Sequence, residues 1–486
     1  MTASAFGWTL GAAREACGGS IRPESAADVA LAGVSIDSRA VGPGDLFVAL
    51  AGERHDGHDF LDDVGRAGAA AALVAAAWAG AHEAPTPALV VEDPLGALQC
   101  LARAHRRRFQ VPVVAVTGSS GKTTTKEMVA AALSARYHVH RTPGNLNNHI
   151  GVPLTLLGLR GEYGAAVVEM GMNHRGEIAL LSRLARPDVS IITNIGRAHI
   201  GLLGSLEEVA RAKLEIVEGM TGGVLVLPSG EPLLAARPEG LPVRTFGRDP
   251  DSEVRIISSR PSGLGRMVLE LDGFPPIPLS AAGAGNAENA AAAAAAALSL
   301  GLTPEEIARG LATFRPLPGR LSVRERAGIV FIEDHYNANP DSFRVALEVL
   351  LSAPARGRRI AVVGEMLELG DHAEAAHEEV GRAAAGADAI VAVGSRAGRV
   401  AAGARAAGRP AVAVFTEADN AAAARVLRRL ARAGDVVLVK GSRGARLEEV
   451  IDSFGEEPSS AAAMSEPRRG AASQGERNQP PDGRGV

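Results

Sequence analysis

Residues 111–128 read VPVVAVTGSSGKTTTKEM, and this stretch limits the fold more than any other. A short apolar run enters a glycine-bracketed turn, which ends in Gly121-Lys122-Thr123-Thr124 before a helical pattern. Strand, glycine loop and helix start together form the context in which a chain holds nucleotide phosphates. Gly118 and Gly121 let backbone N–H groups turn towards one anion, Lys122 adds a charge, and Thr123 offers a hydroxyl to Mg2+. The loop is shorter than G-x-x-x-x-G-K-[ST], because the first glycine of that pattern would fall at Val116. By itself it serves a motor, a kinase or a ligase equally well.

A chain of 486 residues suits about three domains of roughly 150 residues each. With 51 Lys+Arg against 55 Asp+Glu, a net charge of -4 gives no broad basic surface for nucleic acid and points to small-molecule partners. Cys17 and Cys100 make neither a disulfide framework nor a zinc cluster, which fits a reducing cytoplasm. No basic leader precedes an apolar stretch at the start, so no signal peptide is expected. The alanine run 290–297 is too short and weakly apolar to span a bilayer.

Residues 1–109 form a first block with strand-like LFVAL, AALVAAA and ALVVED. It closes on LARAHRRRF, whose charges are expected on a solvated helix face. In residues 110–318, VPVVAVT, AAVVEM, DVSIIT and GVLVL alternate with helical segments, as a largely parallel sheet with helices on both faces requires. Residues 319–455 repeat the alternation through GIVFIED, RIAVVGE, AIVAVG, AVAVF and DVVLVK, a second, Rossmann-like unit. The expected class is α/β in three domains: a small N-terminal α/β domain, a central doubly wound phosphate-loop domain and a Rossmann-like C-terminal domain. The Ser-, Pro-, Gly- and Arg-rich tail 456–486 is expected to be disordered. Glu169 near one strand end and His199 past another fall on the edge where open α/β sheets bind ligands, and offer an oxygen and a nitrogen to a metal.

Taken together, TGSSGKTTTKE, TPGNLNNHIGVPLTLL, EMGMNHRGEI, TNIGRAHIGLLGS, ARAKLEI, GNAENAAAA, PLPGRL, EDHYNANPDSF, VVGEMLELG and VKGSR resemble the ATP-dependent Mur ligases. With DSRAVGPGDLFVALAGERHDGHDF, the resemblance runs over about residues 30–455. Within that family GNLNN, YNANPDS and GEMLELG point to the activity that joins D-alanyl-D-alanine to UDP-N-acetylmuramoyl-tripeptide. The resemblance implies ATP and Mg2+ as cofactors, a cytoplasmic monomer, and site roles residue by residue. Gly118, Ser119, Ser120, Gly121, Lys122, Thr123 and Thr124 would hold the ATP phosphates, with Thr123 on a first Mg2+. Glu169 and His199 would hold a second, with Lys213 carried as a carbamate. Asn289 would contact adenine, and Arg320 and Asp334 would reach ATP from the third block. Asp37, Ser38 and Arg39, together with Asn145, Asn147 and Asn148, would receive the UDP-muramoyl substrate. Tyr336, Asn337 and Asn339 would line the nucleophile side.

Three departures from the family pattern stand out: Gly285 for a usual His, His335 for a usual Ser, and LPSG after GVLVL for a usual Asn-Asp pair. Three other readings share parts of the pattern. A sister ligase adding the preceding diamino acid would carry a DNPR-like motif, which is absent. A folate or cyanophycin type of amide ligase would not combine GNLNN with YNANP. A phosphate-loop ATPase driving a partner protein would turn over ATP without any muramoyl substrate.

Overall fold

The computed structural model describes residues 6–235, 237–408 and 413–454, so the tail after Glu456 lies outside the described residues. The fold is mixed α/β, with three large sheets and a two-stranded ribbon pairing Trp8–Thr9 with Ala30–Leu31. The first sheet has the order β1 (Ser20–Arg22), β5 (Ala88–Val91), β4 (Ala71–Ala75), β3 (Asp45–Val48) and β2 (Gly33–Ser35). Only β1 runs antiparallel. The three strands expected in this block are present, and β1 and β2 are additional to them.

Helix α1 (Pro94–Arg106) starts at Pro94 behind Asp93, whose carboxylate accepts from Leu95 N at 3.0 Å. Its basic end is solvated at Arg103, Arg107 and Arg108, as expected, but not at two other positions. His105 is wholly buried and Arg106 nearly so, whereas Arg107 and Arg108 are not. Trp8 Nε1 donates to His105 Nδ1 at 2.8 Å, and His105 Nε2 lies 3.0 Å from Leu159 O. Arg106 Nε donates to Ala185 O at 2.9 Å and its Nη1 to Phe109 O at 2.7 Å. Arginine and histidine here bridge the first block to loops of the central sheet, and one continuous apolar core runs through both.

The central sheet has nine strands in the order β14-β13-β12-β11-β10-β9-β6-β8-β7. The phosphate-loop strand β6 (Val113–Thr117) lies between β8 (Ala165–Glu169) and β9 (Val189–Ile192), all parallel. β7 (Val139–Arg141) forms one edge. β10 (Val224–Pro228) and β11 (Val243–Gly247) continue the parallel set beyond β9. The chain therefore reverses its direction of winding at β6, and the crevice at a reversal of this kind is where such sheets take ligands. Strands β12 (Val254–Gly263), β13 (Arg266–Leu271) and β14 (Ile277–Leu279) extend it, with antiparallel pairing from β12 to β14. This extension departs from the expected parallel alternation. Its strands are half-buried, with arginine and serine on the open face, so they lack the continuous apolar runs that mark the buried strands.

Helix α2 (Lys122–Leu133) follows the loop, and helix α3 (Ala284–Ser299) packs beside it against the sheet. Residues 290–297 of α3 are all alanine and all fully buried, which brings the helix close to its neighbours. The third sheet has the order β15 (Ser322–Arg326), β16 (Ile329–Asp334), β20 (Val436–Lys440), β17 (Arg359–Val363), β18 (Ala389–Val393) and β19 (Ala413–Glu417). It is parallel except for β15. Helix α4 (Pro340–Ser352) begins with a capping box, in which Asn339 Oδ1 accepts from Ser342 N at 2.8 Å and Ser342 Oγ accepts from Asn339 N at 3.0 Å.

Burial holds the His105 imidazole neutral, its pKa lowered to about 4, against the backbone acceptor Leu159 O, which raises it. The folded state then binds fewer protons than the unfolded state between that value and the ordinary 6.5. Its contribution is whole above pH 6.5 and falls as pH drops towards 4. Urea unfolding followed by tryptophan fluorescence should lose about 2 kcal/mol between pH 7.5 and 5.0 through this group. His105→Gln should remove that share of the slope.

Candidate active site

The loop after β6 takes its shape from the groups packed on it. Gly118 has φ +151° and Gly121 φ +77°, backbone that side chains disfavour. A Cβ on Gly118 would stand 1.8 Å from Thr193 Oγ1, and one on Gly121 would stand 2.4 Å from Asn289 Oδ1. Thr193 Oγ1 donates to Ser120 O at 2.6 Å, while Asn194 Oδ1 accepts from Ser120 N at 3.0 Å. Ser119 Oγ donates to Gly196 O at 3.0 Å and accepts from Gly196 N at 2.8 Å. Lys122 Nζ donates to Gly118 O at 2.8 Å, folding its amine back over the loop, and burial lowers its pKa. Ser119 N and Ser120 N are both engaged by Asn194, which leaves the helix start at Lys122–Thr124 as the part of the loop suited to an anion.

The loop opens into a cavity of ≈ 820 Å3 between the central and third sheets. Ser119, Ser120, Gly121, Lys122, Thr123 and Thr124 line it, as do Asn145, Asn147, Asn148, Glu169, His199 and Asn289 from the same block. The opposite wall holds Arg320, Asp334, Tyr336, Asn337 and Asn339. Gly118 sits behind the loop and Lys213 is buried at 1% exposure, so neither forms the wall. Asp37, Ser38 and Arg39 are not part of it either. They lie in the loop after β2, where Arg39 Nε and Nη2 clasp the Asp37 carboxylate at 2.9 and 2.8 Å. Hydrogen bonds from Arg39 lower the Asp37 carboxyl to about 2.

Glu169 ends β8 and is 1% exposed. Its Oε1 accepts from Asn147 Nδ2 at 2.8 Å; its Oε2 is buried without a hydrogen bond, with Lys126 Nζ 3.8 Å away. Lys126, fully buried on α2, donates to Thr142 O at 2.8 Å and to Gly144 O at 3.2 Å, pinning the 142–148 loop to the phosphate-loop helix. His199 has φ +61°, a strained conformation for a residue with a side chain. Its Nδ1 is buried 3.1 Å from Glu368 Oε2 of the third block, out of hydrogen-bond alignment. Lys213, on the helix Leu206–Leu214, has no partner for its amine among the described residues. Burial, then the neighbouring Lys122, pushes its pKa well below the ordinary lysine range.

Among the described residues no three of His, Cys, Asp and Glu gather as a metal cluster. A divalent cation at this place has one carboxylate and one imidazole, and fits only with further oxygen donors. The unpartnered Glu169 Oε2 is one oxygen left free for such a cation, and nucleotide phosphate would have to supply others.

Asn289 is turned towards the loop. Its Oδ1 accepts from Thr125 Oγ1 at 3.1 Å and its Nδ2 donates to Asn286 Oδ1 at 3.2 Å, so it buttresses Gly121. Arg320 lies over the Tyr336 ring with 4.0 Å between guanidinium carbon and ring centre. Asp334 Oδ1 accepts from Leu321 N at 3.2 Å and its Oδ2 from Lys440 Nζ at 2.5 Å. Lys440 also donates to Asn337 O at 3.1 Å, a role not assigned from VKGSR. Arg197, Asp341 and Glu368 were likewise not foreseen, although all three stand in the quoted motifs. Two of the departures sit in tight packing: a Cβ at Gly285 would stand 3.3 Å from Val345, and a Cβ at Gly319 would stand 3.0 Å from the His335 ring.

A phosphate-loop unit thus faces a second α/β unit across a polar cleft, with Glu169 and His199 on its wall. Family models agree along the chain: Mur ligase family, catalytic domain, over residues 30–106; Mur ligase middle domain over 116–297; and Mur ligase, glutamate ligase domain, over 319–443. The UDP-N-acetylmuramoyl-tripeptide--D-alanyl-D-alanine ligase of Bacillus subtilis is 38% identical over 438 residues, 88% of this chain and 93% of that protein. MurF from Acinetobacter baumannii superposes with a TM-score of 0.84 at 34% identity, covering 93% of this chain and 99% of the other. MurF ligase from Thermotoga maritima in complex with ADP gives 0.76 at 32% identity, covering 88% and 97%. The chain belongs to the Mur ligase family.

Gly121→Ala forces a side chain both into left-handed backbone and onto Asn289. ADP binding measured by calorimetry should weaken by about tenfold or more, since the backbone term alone is about 1–2 kcal/mol.

Proposed function

We propose that this chain is an ATP-dependent amide ligase that joins D-alanyl-D-alanine to UDP-N-acetylmuramoyl-tripeptide and so completes a peptidoglycan precursor. The observation that carries the reading is the cleft itself, with Lys122, Glu169 and His199 on one wall and Arg320, Tyr336 and Asn337 on the other. Residues 110–318 hold ATP, residues 319–455 bring the dipeptide, and residues 1–109 receive the UDP-linked chain through Asp37, Ser38 and Arg39. Asn145, Asn147 and Asn148, on the loop tied to Lys126, contact the same substrate, and Asn339 borders the dipeptide. The protein works as a cytoplasmic monomer, and no helix among the described residues is long and apolar enough to cross a membrane.

A carboxylate is a poor electrophile, so the tripeptide carboxylate first takes the γ-phosphoryl group of ATP, and ADP leaves. Lys122, once released from Gly118 O, would meet the charge that develops on the transferred group, and the helix start would hold the remaining phosphates. Mg2+ would supply charge stabilisation to the phosphates, with Thr123 holding one ion and Glu169, His199 and a carbamate on Lys213 holding another. The dipeptide amine attacks the acyl carbon, the C–N bond forms, the C–O bond to phosphate breaks, and the amine proton is lost. Orientation of the two partners supplies several kcal/mol, on the order of 7–11 kcal/mol at best, and a closed cleft excludes the water that would hydrolyse the acyl phosphate. Arg320 and Asp334 meet ATP from the third block, and Asn289 holds the loop from behind while bordering the adenine.

Phosphate release from ATP and Mg2+, followed with product mass, tests the reading. Amide product is expected only when tripeptide and dipeptide are both present. ATP turnover indifferent to both would replace the ligase with a phosphate-loop ATPase. In buffer depleted of CO2, wild-type ligation should fall about tenfold or more and recover with bicarbonate, as expected when a metal ligand is lost. Lys213→Ala should be low in both buffers and unresponsive to bicarbonate.

A further inference from the structure

Arg197 follows the end of β9 at Ile192, in the segment that also carries His199, and it belongs to neither the phosphate loop nor the metal donors. Its backbone N donates to Asp341 Oδ2 at 3.0 Å, and its Nη2 donates to Asp341 Oδ1 at 3.1 Å. The same guanidinium donates through Nη1 and Nη2 to the two Glu379 oxygens at 2.7 and 2.9 Å. Asp341 is in the first turn of α4, just past Asn339, and Glu379 is on the helix Ala373–Ala384. One central-block residue therefore grips two helices of the third block.

The chain around Arg197 is shaped for this contact. A Cβ on Gly196 would stand 2.8 Å from Asp341 Oδ2, and one on Gly201 would stand 3.0 Å from Gly370 N. Gly196 is also the residue that exchanges both hydrogen bonds with Ser119 of the phosphate loop. A continuous route of contacts thus runs from the loop through Gly196 and Arg197 to the start of α4, next to Tyr336 and Asn337. The three side chains are partly exposed, at 34% for Arg197, 31% for Asp341 and 46% for Glu379. A bidentate, networked arginine at such exposure fixes the relative orientation of the elements it joins.

We propose that Arg197 is a positioning residue that latches the third block over the occupied phosphate loop and so places the amine nucleophile against the activated carboxyl. The inference rests on the ligase reading and adds to it the residue that couples its two half-reactions. With the latch absent, the acyl phosphate, once formed, meets water more often than amine.

The test compares ADP formed with amide formed in wild type, Arg197→Ala, Arg197→Lys and Glu379→Gln. Wild type should give one ADP per amide. Arg197→Ala should form amide about 100-fold more slowly, the scale of a misplaced reactant. It should also release several ADP per amide and raise KM for the dipeptide far more than KM for ATP. Arg197→Lys keeps the charge without the fork and should recover part of the coupling, and Glu379→Gln should fall between it and wild type. ADP and amide that decline together at unchanged stoichiometry would overturn the proposal, as would a wild-type ratio in Arg197→Ala. If wild type forms no dipeptide-dependent amide, the ligase reading fails first and this inference with it.

Discussion

Lys213 is 1% exposed, and its amine pairs with no other group among the described residues. Burial without a counter-charge disfavours the charged amine, so the group as it stands offers no evident contribution to stability. Glu169 keeps one oxygen without a hydrogen bond, His199 is held in left-handed backbone, and Lys122 folds back onto its own loop. On the ligase reading proposed above, phosphate, a divalent cation and a carbamate would satisfy these groups together.

The rest of the architecture serves to bring those groups to one place. β6, β8 and β9 deliver the loop, Glu169 and the His199 segment to the same sheet edge, where the winding of the sheet reverses. The alanine face of α3 lets that helix approach closely enough for Asn289 to touch Gly121. The third sheet then faces the loop with Arg320, Asp334 and Tyr336, and Lys440 ties Asp334 to the Asn337 backbone. Trp8, His105 and Arg106 join the first block to the central one through buried hydrogen bonds.

Much of this was legible in the sequence because the buried parallel strands are continuous apolar runs and the loop is a local pattern of glycines. Glu169 and His199 were legible from their places after strands. The antiparallel extension β12 to β14 was not, since half-buried strands with polar outer faces resemble loops. The solvated reading of LARAHRRRF failed at His105 and Arg106 because their partners, Leu159 and Ala185, lie 54 and 79 residues away. Arg197 was illegible for the same reason: Asp341 and Glu379 are 144 and 182 residues distant, and no periodicity encodes such pairs.

The most direct test of the account follows oxygen. Tripeptide substrate labelled with 18O in the carboxylate that accepts the dipeptide is turned over with ATP, and the released phosphate is analysed by mass. An acyl phosphate requires one labelled oxygen to leave with the phosphate for each amide formed. Unlabelled phosphate accompanying amide formation would contradict the account, because the carboxylate would then have been activated by another route.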